Sequence, residues 1–125
     1  MARIKHVAIR TTEPVKTAAF YQEVFGLRQV GLGKTGIYLS DGHINLAILK
    51  PEAVGKVGID HLGFQVEDVE GTLSKLKELG GSSLTNHLAV APTDPSKPQS
   101  YYEIKCTGPD GQVIDISGSG WVGTD

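Results

Sequence analysis

The sequence has little of what would place it in several common protein classes. Its 125 residues include one cysteine, Cys106, which excludes an intrachain disulfide and makes the reducing cytoplasm the expected location. No apolar run is long enough to span a bilayer, and the first residues lack the apolar core of a signal peptide. A net charge of −2 without a long basic run gives no electrostatic basis for binding nucleic acid or a membrane surface.

What is present fits one compact domain with a real core. The chain is 39% hydrophobic and 21% charged, which is ordinary for a globular protein. Glycine is abundant, at 16 residues, which indicates many tight turns and some close approaches of the backbone.

Two stretches of the sequence alternate between apolar and other residues with the period of two that is typical of a strand with one apolar face. They are Ile4–Arg10 and Ile59–Val66, and each carries a histidine, His6 or His61, at the equivalent place. These histidines are 55 residues apart, so we predict an internal repeat with about that period.

The elements that follow each stretch support the repeat. Pro14 and Gly26 delimit a first helix, and Gly80–Gly81 ends a second one. The predicted helices are 15–25 and 69–79, the other predicted strands are 27–33, 37–39, 43–49, 101–106 and 112–116, and a long segment with three prolines covers 84–100. We therefore expect an α+β fold of two βαβββ modules, about 3–50 and 58–117. Together they would form one curved eight-stranded mixed sheet with the helices on its convex face.

The alternation also predicts which side of the sheet meets the helices. One parity of the best-defined strands is apolar throughout and must face the helices; it contains Val7, Ile9, Ile44, Leu46, Ile48, Leu62, Phe64, Val66, Ile114 and Ile116. The other parity mixes small and polar residues: His6, Ala8, Arg10, His43, Asn45, Ala47, His61, Gly63, Gln65, Val113, Asp115 and Ser117. Such a face indicates a hydrated surface or the wall of a pocket.

Four local motifs carry a resemblance to a known family. They are Ile4–Ile9, Phe20–Leu27, Asp60–Phe64 and Pro109–Asp115, and they lie in a repeated βαβββ order with a histidine in each first strand. In these features the chain resembles the vicinal oxygen chelate superfamily. That superfamily includes glyoxalase I, extradiol dioxygenases, methylmalonyl-CoA epimerase and the bleomycin and fosfomycin resistance proteins.

The resemblance implies a metal site. In metal-dependent members the ligands come from the first and fourth strands of each module, which here are the positions of His6, Asn45, His61 and Asp115. Asp115 stands where most relatives have Glu, and Asn45 where they have Glu or Gln. Without the amide as a ligand, two histidines and one carboxylate remain, a set that leaves positions open on a divalent ion. The implied cofactor is Fe, Mn, Ni, Co or Zn.

Several other polar residues are candidates for binding or chemistry. Glu103 and Lys105 could transfer protons as catalytic groups, although an exposed edge strand explains them equally well. The candidates for substrate binding are Asn45, Arg10, Gln65 and His43. Arg10 and Gln65 also fit an exposed strand end, His43 a solvated turn, and Asn45 a weak or water-mediated metal ligand. Asp115 could instead form a salt bridge with Arg10 or Lys105. The tail residue Trp121 could pack against the domain or against a second chain.

The resemblance predicts a small metal-dependent enzyme, a glyoxalase-like lyase or isomerase or a dioxygenase, whose substrate chelates the metal through two oxygens. Lys105 occupies the place of a tyrosine in extradiol dioxygenases, which counts against catechol cleavage. The alternative is a metal-free protein that sequesters a drug or small metabolite. In both cases we expect a small-molecule partner, no nucleic acid, no membrane and a homodimer.

Overall fold

The computed structural model describes residues 1–52, 56–86, 88–89 and 101–125. Most of the proline-containing segment predicted over 84–100 therefore lies outside the described residues. Neither helix within them is long and apolar enough to cross a membrane.

The described residues form nine strands and two helices; the first module has the expected βαβββ order, and the second has one short strand more. The first module contains β1 (Arg3–Arg10), α1 (Pro14–Phe25), β2 (Arg28–Leu32), β3 (Gly36–Ser40) and β4 (Asn45–Leu49). The second contains β5 (Gly58–Gln65), α2 (Val69–Glu78), β6 (Ser82–Ser83), β7 (Leu88–Ala89), β8 (Tyr102–Thr107) and β9 (Val113–Ser117).

Eight strands form one mixed sheet in the order β2-β3-β4-β1-β5-β9-β8-β6, and β7 pairs with β8 beside it. The first strands of the two modules, β1 and β5, lie antiparallel at the centre. Each of them also pairs in parallel with the last strand of its own module, β4 or β9. This confirms the predicted α+β fold and places the two histidine strands side by side.

Both helices begin and end where the sequence places the signals. Pro14 occupies the first turn of α1, and Gly26 ends it in the left-handed conformation with φ 70° and a hydrogen bond to Gln22 O. Asp68 caps α2, because its side chain accepts a hydrogen bond from the Gly71 backbone amide at 3.0 Å.

The helices cover one face of the sheet, as the alternation predicts. Leu73 of α2 packs with Val66, Ile104, Cys106 and Ile116. Under α1, a second cluster contains Ala18, Ile37, Leu39 and Ile48. Burial of such side chains provides about 1.5–3 kcal/mol each, which fixes the strand parity and turns the opposite parity away from the helices.

Strand β4 is shorter than the predicted 43–49. The carboxylate of Asp41 accepts hydrogen bonds from the backbone amides of His43 and Ile44, both at 2.8 Å. These bonds hold the two residues in a turn, so β4 begins at Asn45.

Candidate functional site

The register of the three central strands brings His6, His61 and Asp115 together. Gly63 of β5 pairs with His6 of β1 on one side and with Asp115 of β9 on the other. His61 lies two residues before Gly63 and so points to the same face. All three side chains converge on the face without helices, and the space that a Gly63 side chain would need is taken by His6 Cβ and the Trp121 ring.

The three side chains converge at atomic distances and are nearly inaccessible to solvent. The Nε2 atoms of His6 and His61 are 3.3 Å apart, and Asp115 Oδ2 lies 3.1 Å from His61 Nε2 and 3.7 Å from His6 Nε2. Three ligand atoms held about 2.1 Å from one ion are themselves separated by roughly 3.0–3.4 Å in octahedral or tetrahedral geometry. The donor set therefore fits a divalent metal ion, with His6 and His61 at 4% exposure and Asp115 at 0%.

Hydrogen bonds on the outer side of each ring select which nitrogen faces the centre. The Asn45 amide donates to the Val122 carbonyl at 3.0 Å, so its oxygen is turned to accept from His6 Nδ1 at 2.8 Å. His61 Nδ1 donates to Asp60 Oδ2 at 2.7 Å. With Nδ1 protonated, a neutral ring presents the lone pair of Nε2 to the centre, which is the arrangement that metal-ligating histidines adopt. A protonated His61 instead donates from Nε2 to Asp115 Oδ2.

Asp60 reaches His61 because of an irregularity in the strand pairing. Ala8 pairs with His61 while the next residue, Ile9, pairs with Ile59, so Asp60 is the extra residue of a β-bulge. Strict alternation would direct Asp60 to the face opposite His61. The bulge instead brings the carboxylate against the ring, a contact at the candidate site that the alternation did not predict.

The site shifts the pKa values of its three central groups in different directions. Burial lowers the pKa of His6 to about 4, although the charge of Asp115 partly opposes this. Burial also lowers the pKa of His61, but the hydrogen bond and charge of Asp115 and the Asp60 hydrogen bond outweigh it and raise the pKa above 6.5. For Asp115 the cost of burial is exceeded by the contacts with His61 and Lys105, so its pKa falls well below the usual range.

Lys105 and Glu103 of β8 border the three groups. Lys105 Nζ lies 2.9 and 3.2 Å from the two oxygens of Asp115 and 3.1 Å from Glu103 Oε2. Of the two salt bridges considered from sequence for Asp115, the one with Lys105 is therefore formed. Burial and the negative charge of Asp115 raise the pKa of Glu103. Burial lowers the pKa of Lys105, but the two carboxylates outweigh it and raise it.

A cavity of about 330 Å³ opens onto this cluster. The histidines, Glu103 and Lys105 line one part of it, and Tyr38, Ala47 and Leu49 line another. This face is therefore not polar throughout, because Ala8, Tyr38, Ala47 and Leu49 form an apolar cluster on it. A small molecule with one polar and one apolar end would match these walls.

Arg10 stands at the edge of the same cavity. Its Nη1 donates to the Lys50 carbonyl and its Nη2 lies 3.0 Å from Glu52 Oε1. Among the described residues, its buried Nε has no hydrogen-bond partner, and Asp60 Oδ1 lies 3.8 Å away. The contacts with Lys50 and Glu52 fix the guanidinium at the cavity edge.

The other three candidates for substrate binding do not line the cavity. The side chain of His43 is 71% exposed and pairs with Asp125 at 3.0 Å. Gln65, at the end of β5, lies beside Gly120 of the tail. Asn45 is fully buried, and both ends of its amide are used by His6 and Val122.

Trp121 is the second contributor that the sequence analysis missed, since it was considered only for packing. Its ring stacks on His6 with centroids 4.9 Å apart and planes at 7°, and its Nε1 donates to Glu103 Oε1 at 3.0 Å. A lone tryptophan in a glycine-rich tail gives no periodic signal that would predict either contact.

Gly63→Ala is expected to lower the free energy of unfolding by about 1–3 kcal/mol, the usual cost of overpacking. The new Cβ would lie 2.7 Å from His6 Cβ and 2.8 Å from two ring carbons of Trp121. Chemical denaturation measures the loss. In a chain that also carries Trp121→Leu, Gly63→Ala should cost less free energy of unfolding, because the indole ring is then absent. An equal cost in the wild-type and Trp121→Leu backgrounds would contradict this explanation.

Comparisons with known proteins relate this geometry to a family. The profile of the Glyoxalase/Bleomycin resistance protein/Dioxygenase superfamily matches residues 3–116. No curated protein is found to match the chain.

Solved structures share the fold at low sequence identity. Methylmalonyl-CoA epimerase in complex with methylmalonyl-CoA and NH4+ has a TM-score of 0.69 and 21% identity, covering 100% of this chain and 99% of that one. The 2,3-dioxygenase LapB from Pseudomonas sp. KL28 has a TM-score of 0.73 and 20% identity, covering 98% of this chain. The Mn(II)-bound glyoxalase from Novosphingobium aromaticivorans has a TM-score of 0.74 and 16% identity, covering 100% of this chain.

This chain spans 42% of the length of the last two structures, so it corresponds to one part of those larger chains. At these identities the structural likeness shows the fold alone. The profile match extends over nearly the whole sequence and includes all three converging side chains. The chain belongs to the Glyoxalase/Bleomycin resistance protein/Dioxygenase superfamily.

Proposed function

We propose that this protein is a metal-dependent enzyme that moves a proton on a small substrate bound through two neighbouring oxygens. The observation that carries this is the convergence of His6 Nε2, His61 Nε2 and Asp115 Oδ2 within 3.7 Å, at the end of a cavity. Two imidazole nitrogens and a carboxylate oxygen aimed at one buried point form a ligand set that a divalent cation stabilises. A divalent ion there would supply Lewis acidity to the substrate oxygens.

The residues around the ion have separate tasks in this reaction. Asn45 and Asp60 keep Nε2 of each histidine free and directed inward. Glu103 is the proton acceptor, because its raised pKa makes its carboxylate a stronger base than an exposed glutamate. It would take the proton from the carbon next to a substrate carbonyl and return it to the same carbon or to its neighbour.

Lys105 suits a different role from proton donation. Its contacts with Asp115 and Glu103 raise its pKa, so the ammonium stays charged at neutral pH. A fixed positive charge beside the base would stabilise negative charge that develops on the substrate. Arg10, at the cavity edge, would attract an anionic group of the substrate through the positive charge of its guanidinium.

The enzyme is tested in two steps. Protein purified without chelator is expected to carry about one metal equivalent per chain, measured by elemental analysis. The metal-loaded protein is then incubated in D2O with 2-oxo acids, hydroxy ketones and acyl thioesters, and deuterium at the carbon beside the carbonyl is measured by mass spectrometry. Exchange with at least one compound supports proton transfer. Oxygen consumption with a catechol panel would instead assign a dioxygenase, and neither reaction by the metal-loaded protein would contradict the proposed activity.

Metal binding is expected to release about one proton per ion at pH 6. His61, with a pKa above 6.5, is mostly protonated there and must lose its proton to bind, whereas His6, with a pKa of about 4, is already neutral. Affinity should therefore fall about tenfold for each pH unit below the His61 pKa. Calorimetry in buffers with different ionisation enthalpies counts the protons, and a value near zero or two would contradict this assignment.

One observation favours a metal-free binding protein as the second candidate. The ammonium of Lys105 contacts both oxygens of Asp115 and so neutralises the carboxylate without a metal. A protein of this kind would bind its ligand tightly with no metal present, and His6→Ala and His61→Ala would leave that binding unchanged.

Gel filtration with light scattering tests the expected homodimer, and fractionation of the source cells tests the expected cytoplasmic location.

A further inference from the structure

The last eight residues, 118–125, lie on the face of the sheet that carries the candidate metal site. Ser40 Oγ donates to the Gly123 carbonyl at 2.7 Å, and Asp125 pairs with His43 and Lys5. Trp121 is only 2% exposed. Residues 118–125, called the tail below, are therefore attached to the first module at several points, although they follow the last strand of the second.

Through Trp121 the tail touches two groups of the site at once. The indole ring stacks on His6 at 4.9 Å, and its Nε1 donates to Glu103 Oε1 at 3.0 Å. Gly63 provides the space for the ring, because a Cβ there would lie 2.8 Å from two of its carbons. One side chain thus restrains a proposed metal ligand and the proposed base.

The next residue of the tail acts on the same ligand by another route. The Val122 carbonyl accepts from the Asn45 amide nitrogen, which leaves the amide oxygen to accept from His6 Nδ1. Without the carbonyl, the amide could turn and offer its NH2 group to the ring instead. His6 Nδ1 would then accept that hydrogen bond, and the proton would move to Nε2, where a metal has to bind.

We propose that the tail is an integral part of the metal centre and that Trp121 is a positioning residue for His6. Docking of the tail and binding of the metal are then coupled: the ion holds the tail on the sheet, and the docked tail raises affinity for the ion. This inference rests on the proposed metal site, but the orientation of His6 by the tail does not need a metal and is tested separately.

Trp121→Leu removes the stacking and the hydrogen bond, whereas Trp121→Phe keeps an aromatic ring and loses only the Nε1–H donor. Co(II) affinity is measured by calorimetry for both, with Phe25→Leu on the exposed side of α1 as the control. We expect Trp121→Leu to bind Co(II) about 10–100-fold more weakly, the usual effect of losing a residue that orients a ligand. The Phe variant should lose less and the control nothing. Wild-type affinity in Trp121→Leu would overturn the proposal.

Hydrogen exchange of the tail gives a readout that does not depend on catalysis. Co(II) should slow amide exchange in residues 118–125 of the wild-type protein by at least about tenfold, since binding adds its free energy to the docked state. Co(II) should not change the amide exchange of residues 118–125 in His61→Ala, a variant that keeps every contact of the tail. Unchanged exchange in wild-type protein that binds Co(II) would overturn the coupling.

Nitrogen NMR of His6 separates failure of this inference from failure of the proposed function. In metal-free wild-type protein at pH 8, where His6 is neutral because burial lowers its pKa to about 4, this ring should carry its proton on Nδ1. The Trp121→Leu variant loses the contacts that hold the tail, and with it the Val122 carbonyl, beside Asn45, so it should show a mixture of the two tautomers. If the wild type binds no Co(II) but this difference is seen, the metal function fails and the positioning role stands. An identical Nδ1–H tautomer in both proteins would overturn the positioning role.

Discussion

His61→Ala, purified without chelator, is expected to retain less than about a tenth of the metal that the wild-type protein holds, and His6→Ala should behave in the same way. Each change removes one of three ligand atoms that lie 3.1–3.7 Å apart. The loss of affinity should exceed the roughly 10–100-fold that follows removal of a residue that only orients a ligand. Elemental analysis together with Co(II) calorimetry measures both quantities.

His43→Ala is the matched control for these variants. This histidine lies on the same half of the chain, but its side chain is 71% exposed and contacts Asp125 rather than the site. Its removal should lower the metal content far less than the loss of either ligand, because it takes away only one of several contacts that hold the tail. Equal metal in all three variants and the wild type would mean that the ion, if bound, lies elsewhere.

Glu103→Gln is expected to lower the rate of deuterium exchange by about 10²–10⁴-fold, the usual contribution of a general base, while the metal content stays at the wild-type level. The amide cannot accept the proton, but its oxygen can still accept the hydrogen bond that Trp121 Nε1 donates at 3.0 Å. The ion, the cavity and the tail should therefore be retained. The measurement uses the compound that exchanges fastest with the wild-type protein.

The rate of wild-type exchange should also fall as the pH drops below the pKa of Glu103, which burial raises above 4.5. Glu78→Gln, at the exposed end of α2, is the control for Glu103→Gln, because it also removes one carboxylate. An unchanged rate in Glu103→Gln would assign the proton transfer to another group. A large loss of metal in that variant would instead make Glu103 part of the binding site.

Much of the fold follows from short-range features of the sequence. Pro14 and Gly26 mark the ends of α1, because one lacks the amide that a first turn does not need and the other accepts a positive φ. The alternation of the strands predicts their faces, since a shift by one residue would expose the whole apolar set. The start of β4 was predicted two residues early because the Asp41 side chain, rather than the strand, takes up the next amides.

The positions of His6 and His61 were predictable because two repeats of one module place equivalent residues at the centre of a shared sheet. The position of Asp115 was predicted from the same repeat, as the carboxylate in the last strand. Their mutual distances follow from the register across Gly63, which involves residues more than fifty positions apart in sequence. The resemblance supplied that register; the alternation alone could not.

The surroundings of the site could not be read in the same way. Asp60 reaches His61 only because of a bulge, and a bulge depends on how two strands pair rather than on either strand alone. The contacts of Trp121 depend on where a tail without regular structure lies, and no periodicity in the sequence predicts that. Both contacts arise from tertiary packing that overrides the local pattern.

A crystal structure of the metal-loaded protein, with anomalous data collected at the absorption edge of the bound ion, tests the central claim most directly. One anomalous peak should lie between the three side chains, about 2.0–2.2 Å from His6 Nε2, His61 Nε2 and a carboxylate oxygen of Asp115. An ion bound elsewhere, or Lys105 still contacting both oxygens of Asp115 with no peak at any metal concentration, would contradict it.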